Sequence, residues 1–154
     1  MDLQLKDKVV LVTGGAKGIG EAIVRSLAAE NAIPIIIGRN HEDNLKLENE
    51  IKASGQQCAS ITAELADPDG CEKVIAETVN LFGRINGLVN NAGVNDGIGL
   101  ENGNYEAFIK SIHQSCVNLP VHLSVHPFFL PSIRLSISLI FVVEGSSQDS
   151  HYWA

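Results

Sequence analysis

The sequence predicts a protein of the α/β class, with a doubly wound parallel sheet of about four to five strands and flanking helices. Two observations carry this prediction. The apolar run at residues 9–12 leads into a glycine-rich turn at residues 13–20, which opens onto a segment with helical apolar spacing. Strand-length apolar runs then alternate with helix-length segments as far as residue 93, which indicates a parallel sheet covered on both faces.

The first two strands are predicted over residues 8–13 and 33–37. Residues 8–13 are mainly apolar without alternation, as in a parallel strand buried on both faces. Pro34 lies near the start of the second strand, where a missing N–H group is tolerated. The helix between them runs through about Glu30, and a charged amphipathic helix follows over residues 42–53.

The third and fourth strands are predicted over residues 58–65 and 85–89. Asp67 and Pro68 open the helix between them, because Asp can cap a helix and Pro suits its first position. We expect that helix to end near Gly83.

The composition of the chain changes after about residue 115. Residues 94–104 are predicted to be a loop and residues 105–115 a helix. Apolar residues alternate with serines in the segment 133–143, which favours a fifth strand. The polar end, residues 144–154, is predicted to be frayed.

We therefore divide the chain into a domain of residues 1–115 and a divergent tail of residues 116–154. The tail has two explanations. It forms part of a helix and a fifth strand with a disordered end, or it derives from an altered reading frame or a retained intron and has no evolved fold.

Composition narrows the classes of function. The net charge of −7 implies no general affinity for nucleic acid or for an anionic membrane. The three cysteines have no metal-binding spacing, and the charged N-terminus leaves no room for a signal peptide. We therefore expect free thiols and a cytoplasmic location, with no metal site.

The turn at residues 13–20 is the first candidate binding element. Glycines there permit a tight turn and close approach of a ligand to the backbone. The N–H groups that begin a helix favour a phosphate. We therefore predict that this turn binds the pyrophosphate of a dinucleotide, although a tight connection without a ligand would leave the same pattern. The candidate residues are Gly14, Lys17, Gly18, Ile19 and Gly20.

The end of the second strand predicts which dinucleotide is bound. A carboxylate at this place would bind the ribose hydroxyls and repel a 2′-phosphate. The sequence instead has Gly38 followed by Arg39, whose guanidinium can hold a 2′-phosphate, and Lys17 could add a second positive charge. These residues favour NADP(H) over NAD(H), whereas the alternative is that both are solvated surface cations.

Two further segments complete the predicted binding site. Glu64 and Leu65 close the third strand, where the adenine ring should lie and where an acid could accept from its amino group. Asn90, Ala92 and Gly93 close the fourth strand, where small residues let the cofactor pass over the sheet edge. The alternatives are a surface acid in the first segment and a simple turn in the second.

The glycine turn at residues 13–20 and the Asn-Asn-Ala-Gly sequence at residues 90–93 together resemble the short-chain dehydrogenase/reductase superfamily. The resemblance covers residues 5 to about 115, and the loop at 91–101 looks like that of L-fucose dehydrogenases. It implies a dinucleotide-binding Rossmann domain, incomplete here, and hydride transfer between a nicotinamide cofactor and an alcohol or carbonyl carbon. Members of the superfamily are commonly homodimers or homotetramers, although the usual interface would be missing here.

The resemblance also implies a catalytic Tyr-x-x-x-Lys pair, in which the Lys lowers the pKa of the Tyr, together with a Ser and an Asn. Neither Tyr105 nor Tyr152 is followed by Lys at the fourth place, so this chain is expected to stop short of the pair. Asn118 and Ser146 are possible remnants of the other two positions. We therefore expect an oxidoreductase with little or no activity. The alternative is a non-catalytic fragment that binds the dinucleotide or pairs with a full-length relative.

Overall fold

A computed structural model of the chain describes residues 3–93, 103–107, 109 and 135–138, the last four by their backbone alone. Most of the predicted loop at 94–104, most of the predicted helix at 105–115 and nearly all of the tail therefore lie outside the described residues. Residues 105–107 and 109 are helical. The division of the chain at residue 115 stays a prediction.

Five parallel strands form one sheet in the order β3-β2-β1-β4-β5, with three helices between the first four strands. The prediction of a parallel, doubly wound α/β sheet is thereby confirmed. The elements are β1 (Val9–Thr13), α1 (Gly18–Ala29), β2 (Ile33–Gly38), α2 (His41–Ala53), β3 (Ala59–Thr62), α3 (Pro68–Phe82), β4 (Gly87–Asn90) and β5 (Leu135–Ser138).

The helices cover both faces of the sheet. Along β1, Val9 and Leu11 belong to the apolar cluster that contains the buried residues of α3. Val10 and Val12 belong to the opposite cluster, which contains those of α1 and α2. This alternation explains why β1 is apolar throughout, since each successive side chain enters a different core.

Local sequence sets the ends of the helices. Asn40 caps α2, with its side-chain oxygen accepting from the N–H groups of Glu42 and Asp43 at 2.9 and 3.3 Å. Asp67 caps α3 as predicted, accepting from the N–H of Asp69 at 3.1 Å, and Gly83 ends that helix with φ of 70°. None of the helices among the described residues is long and apolar enough to cross a membrane.

β3 is shorter than predicted at both ends. It pairs with β2 from Ala59 to Thr62, and Thr62 lies opposite Gly38, the last residue of β2. The prediction that the strand extends to Leu65 is therefore wrong, because no neighbouring strand continues beside it.

The strand order creates a crevice at the carboxyl edge of the sheet. β2 lies on one side of β1 and β4 on the other, so the strand order reverses at β1. Such a reversal is where α/β sheets usually bind their ligands.

Candidate functional site at the carboxyl edge of the sheet

Hydrogen bonds join the ends of β1 and β4 at the crevice. The Thr13 hydroxyl oxygen accepts from the N–H groups of Asn91 and Ala92, each at 2.9 Å, and the hydroxyl approaches the Val89 carbonyl at 3.4 Å. The Asn91 side-chain amide donates to the carbonyls of Thr13 and Gly14 at 3.0 and 3.2 Å. These bonds, here called the Thr13–Asn91 link, fix the glycine turn relative to the fourth strand.

Two of the predicted binding glycines are required by packing inside the protein. A Cβ on Gly20 would lie 2.0 Å from the Gly14 carbonyl oxygen and 2.7 Å from the Asn91 amide nitrogen. Gly14 has φ of 61°, and a Cβ on it would lie 3.1 Å from the Ala92 Cα. The absence of side chains at these positions therefore lets the turn, α1 and the end of β4 pack together.

The N-terminus of α1 differs from those of the other two helices. Lys17 is its N-cap residue and makes no side-chain capping hydrogen bond, whereas Asn40 and Asp67 cap their own helices within the described chain. Gly18 has φ of 55°, and a Cβ there would meet open space. Ile19 exposes 40% of its surface.

These features fit a phosphate group. The first N–H groups of a helix lack intrahelical partners, and α1 supplies them with no side-chain acceptor of its own. The glycine beside them leaves room for an anion, and the helix dipole favours negative charge there.

The two predicted cations each lie beside a carboxylate. Lys17 Nζ is 2.8 Å from Asp43 Oδ2, and Arg39 is 3.7 Å from Glu64 Oε2. The Arg39 side chain is 70% exposed and that of Lys17 is 54% exposed. Exposed pairs of this kind stabilise the fold only weakly and can open readily.

Arg39 lies in an open depression that follows β2, together with Asn40, His41 and Glu42. His41 Nδ1 lies 3.2 Å from the Thr62 hydroxyl. The buried side chain of Asn44 donates to the Gly38 carbonyl, at the end of β2, at 3.0 Å. A Cβ on Gly38 would lie 2.6 Å from Asn44 Oδ1, which explains the glycine at this position.

Glu64 and Leu65 follow β3 rather than end it. Glu64 Oε1 accepts from the Ala66 N–H at 3.0 Å, and the carboxylate remains half-exposed beside Arg39. The Leu65 side chain is buried in the core against α3. A binding role for Leu65 would therefore depend on its main chain.

The predicted residues after β4 lie beside the glycine turn. Asn90 is buried, and its Oδ1 has no hydrogen-bond partner within the described chain. Ala92 contacts Gly14 closely, while a Cβ on Gly93 would meet open space. The possible catalytic remnants, Asn118 and Ser146, lie outside the described residues.

Comparison with known proteins identifies the family. The sequence profile of the short chain dehydrogenases matches residues 8–132. The chain belongs to this family. It is therefore, by homology, related to oxidoreductases that bind nicotinamide dinucleotides.

Two curated relatives show how far the similarity extends. L-rhamnose 1-dehydrogenase (NAD(P)(+)) of Azotobacter vinelandii is 41% identical over 95 residues, which cover 58% of this chain and 37% of the relative. Glucose and ribitol dehydrogenase of Daucus carota is 40% identical over 96 residues, which cover 58% and 33%. The chain thus spans about a third of the length of these relatives.

Solved structures of the same family share the fold. A short-chain dehydrogenase/reductase mutant from Serratia marcescens matches with a TM-score of 0.70 and 28% identity, over 79% of this chain and 51% of that one.

Sequence analysis missed three residues that shape this site. Thr13 and Asn91 form the link between β1 and β4, and Asp43 pairs with Lys17. The Asn-Asn-Ala-Gly motif signalled Asn91, since Asn amides can bridge strands, and Thr13 opens the glycine turn. No local pattern signalled Asp43, because its partner is distant in sequence.

We predict that Thr13→Val destabilises the fold by about 1–3 kcal/mol, because the partly buried N–H groups of Asn91 and Ala92 lose their acceptor. Thr78→Val is the matched control. Thr78 is equally buried, but its hydroxyl only donates to the Val74 carbonyl at 2.7 Å within α3. Urea unfolding should show a loss below about 1 kcal/mol for the control. Equal losses in both variants would contradict a special role for the Thr13–Asn91 link.

We predict that Gly20→Ala lowers the unfolding free energy by at least about 2 kcal/mol, since a Cβ would collide with a backbone carbonyl that cannot move alone. Gly93→Ala should change it by less than about 0.5 kcal/mol, because that Cβ enters open space. Thermal and urea denaturation of both variants measure the difference. A stable Gly20→Ala protein would show that the turn is not packed as described.

Proposed function

We propose that this chain binds NADP(H) at the carboxyl edge of its sheet, as the cofactor-binding part of a short-chain dehydrogenase. One observation carries the proposal: the N-terminus of α1 has Lys17 as its N-cap residue and no side-chain cap, and it follows the turn that the Thr13–Asn91 link holds in place. The N–H groups of Gly18 and Ile19 would bind the pyrophosphate. The nicotinamide, when bound, supplies the hydride acceptor or donor.

The residues after β2 and β3 support the choice of NADP(H). β2 ends at Gly38 and not at a carboxylate, which would bind the ribose hydroxyls. The next residue, Arg39, has an exposed guanidinium. Glu64, which follows β3 with its carboxylate exposed, would accept from the amino group of an adenine bound at this edge of the sheet. Asn90, Ala92 and Gly93 would border the path of the dinucleotide over the sheet.

We propose that the parent activity is oxidation of a sugar, or of another alcohol, to the carbonyl, or the reverse reduction. The name of the L-rhamnose dehydrogenase relative and that of the glucose and ribitol dehydrogenase relative support this class of substrate. The loop at 91–101, with its likeness to L-fucose dehydrogenases, agrees with it.

These 154 residues contain no Tyr-x-x-x-Lys sequence, so no phenol is arranged to exchange a proton with a substrate hydroxyl. We therefore propose that they bind the dinucleotide without catalysing hydride transfer, alone or together with a related chain. The buried free thiol of Cys58 suits a reducing, cytoplasmic setting. Burial raises the pKa of Cys58 to about 12, which keeps its thiol unreactive.

We predict that Arg39→Met weakens NADPH binding by about tenfold and changes NADH binding by less than twofold, because only NADPH presents a phosphate to the guanidinium. Arg84→Met is the control, since Arg84 donates to the Asp7 carbonyl where the chain enters β4 and β1, at the edge of the sheet opposite the site. Fluorescence titration of both nucleotides measures the effect. Equal weakening of NADPH and NADH binding would contradict a 2′-phosphate contact.

We predict that the purified chain binds NADP⁺ by calorimetry but does not reduce it with L-rhamnose, L-fucose or glucose. The missing proton-transfer residues provide the reason, since binding and chemistry depend on different parts of the family's site. Absence of heat even at millimolar cofactor would refute the binding proposal, and steady production of NADPH would refute the absence of catalysis.

A further inference from the structure

The pair formed by Lys17 and Asp43 connects two segments of the proposed cofactor site. Lys17 lies in the turn after β1, and Asp43 lies in the first turn of α2, with 2.8 Å between Nζ and Oδ2. The pair therefore spans the space between the helix that would hold the pyrophosphate and the segment that would hold the adenosine ribose.

Asp43 is the more constrained member of the pair. Its own N–H group donates to the Asn40 cap, and its side chain is only 27% exposed. The dipole of α2 favours a negative charge in this turn. Lys17 is more exposed and has a longer, flexible side chain, so Lys17 is the member of the pair that can move away.

Arg39 is less constrained by its carboxylate. Its separation from Glu64 is 3.7 Å, and both side chains are more than half exposed. The two cations of the proposed site are therefore unequal: Arg39 is readily available to a phosphate, whereas Lys17 is held by the more constrained carboxylate of Asp43.

We propose that Asp43 determines the selectivity between NADP(H) and NAD(H), by holding Lys17 and opposing a 2′-phosphate. This inference rests on the proposed function. A 2′-phosphate must compete with Asp43 for the ammonium group and bear the repulsion of its carboxylate. A dinucleotide with a free 2′-hydroxyl neither competes for the ammonium group of Lys17 nor is repelled by the carboxylate of Asp43. Asp43 thus reduces the preference for NADP(H) that Arg39 and Lys17 would otherwise produce.

Glu42 provides the control for this inference. It lies in the same first turn of α2 and carries the same charge, and it borders the depression that contains Arg39. No ion pair of Glu42 occurs within the described chain, and Lys17 pairs with Asp43 instead. Glu42→Gln therefore changes the local charge by the same amount without releasing Lys17.

The test uses 2′,5′-ADP and 5′-AMP as probes, because they differ only in the 2′-phosphate and do not need the nicotinamide half of the site. Calorimetry of Asp43→Asn should show roughly fivefold tighter binding of 2′,5′-ADP, about the worth of one exposed ion pair. Binding of 5′-AMP should change less than twofold. In a Lys17→Met background the same substitution should yield less than half of that gain.

Three results would overturn the inference while leaving the proposed function intact. They are an equal effect of Asp43→Asn on both probes, an equal gain from Glu42→Gln, and a full gain without Lys17. Thermal unfolding checks that each variant is folded, and Asp43→Ser is the second variant, since Ser also suits the first turn of a helix. If neither probe binds to the wild-type chain or to any variant, the proposed function itself fails and this inference fails with it.

Discussion

The site depends on the Thr13–Asn91 link between the ends of β1 and β4. These two strands are neighbours in the sheet, and the link ties the turn that follows β1 directly to the residues that follow β4. One buried hydroxyl accepts from two N–H groups, and one amide donates to two carbonyls, which satisfies backbone groups that the sheet leaves unpaired. The glycines then allow the tied segments to approach closely.

Charge around the proposed adenosine end of the site is nearly balanced rather than strongly positive. Each cation expected to favour a 2′-phosphate has a carboxylate beside it, at different distances and with different exposure. Preference among dinucleotides in such a site depends on differences between weak, solvent-screened interactions. The identity of the residue after β2 therefore predicts the preference between NADP(H) and NAD(H) less reliably than the ion pairs of Lys17 and Arg39 do.

Much of this architecture was predictable from sequence because buried parallel strands and capped helices have strong local signals. The uniformly apolar β1 and the Asp67-Pro68 opening of α3 are examples. The end of β3 was not predictable, because it depends on where β2 stops, at Gly38. Asp43 was missed for a similar reason: its contact with Lys17 arises from the packing of two helix beginnings 26 positions apart.

A dinucleotide bound at the opening turn of α1, as proposed, would couple folding to the supply of a small molecule. A ligand that satisfies those N–H groups binds the folded chain and not the unfolded one, so the stability of the chain rises with ligand concentration. At one hundred times its dissociation constant, such a ligand adds about 2.7 kcal/mol, a large share of the stability of a small domain. The lifetime of this chain against proteolysis would then follow the metabolic state of its surroundings.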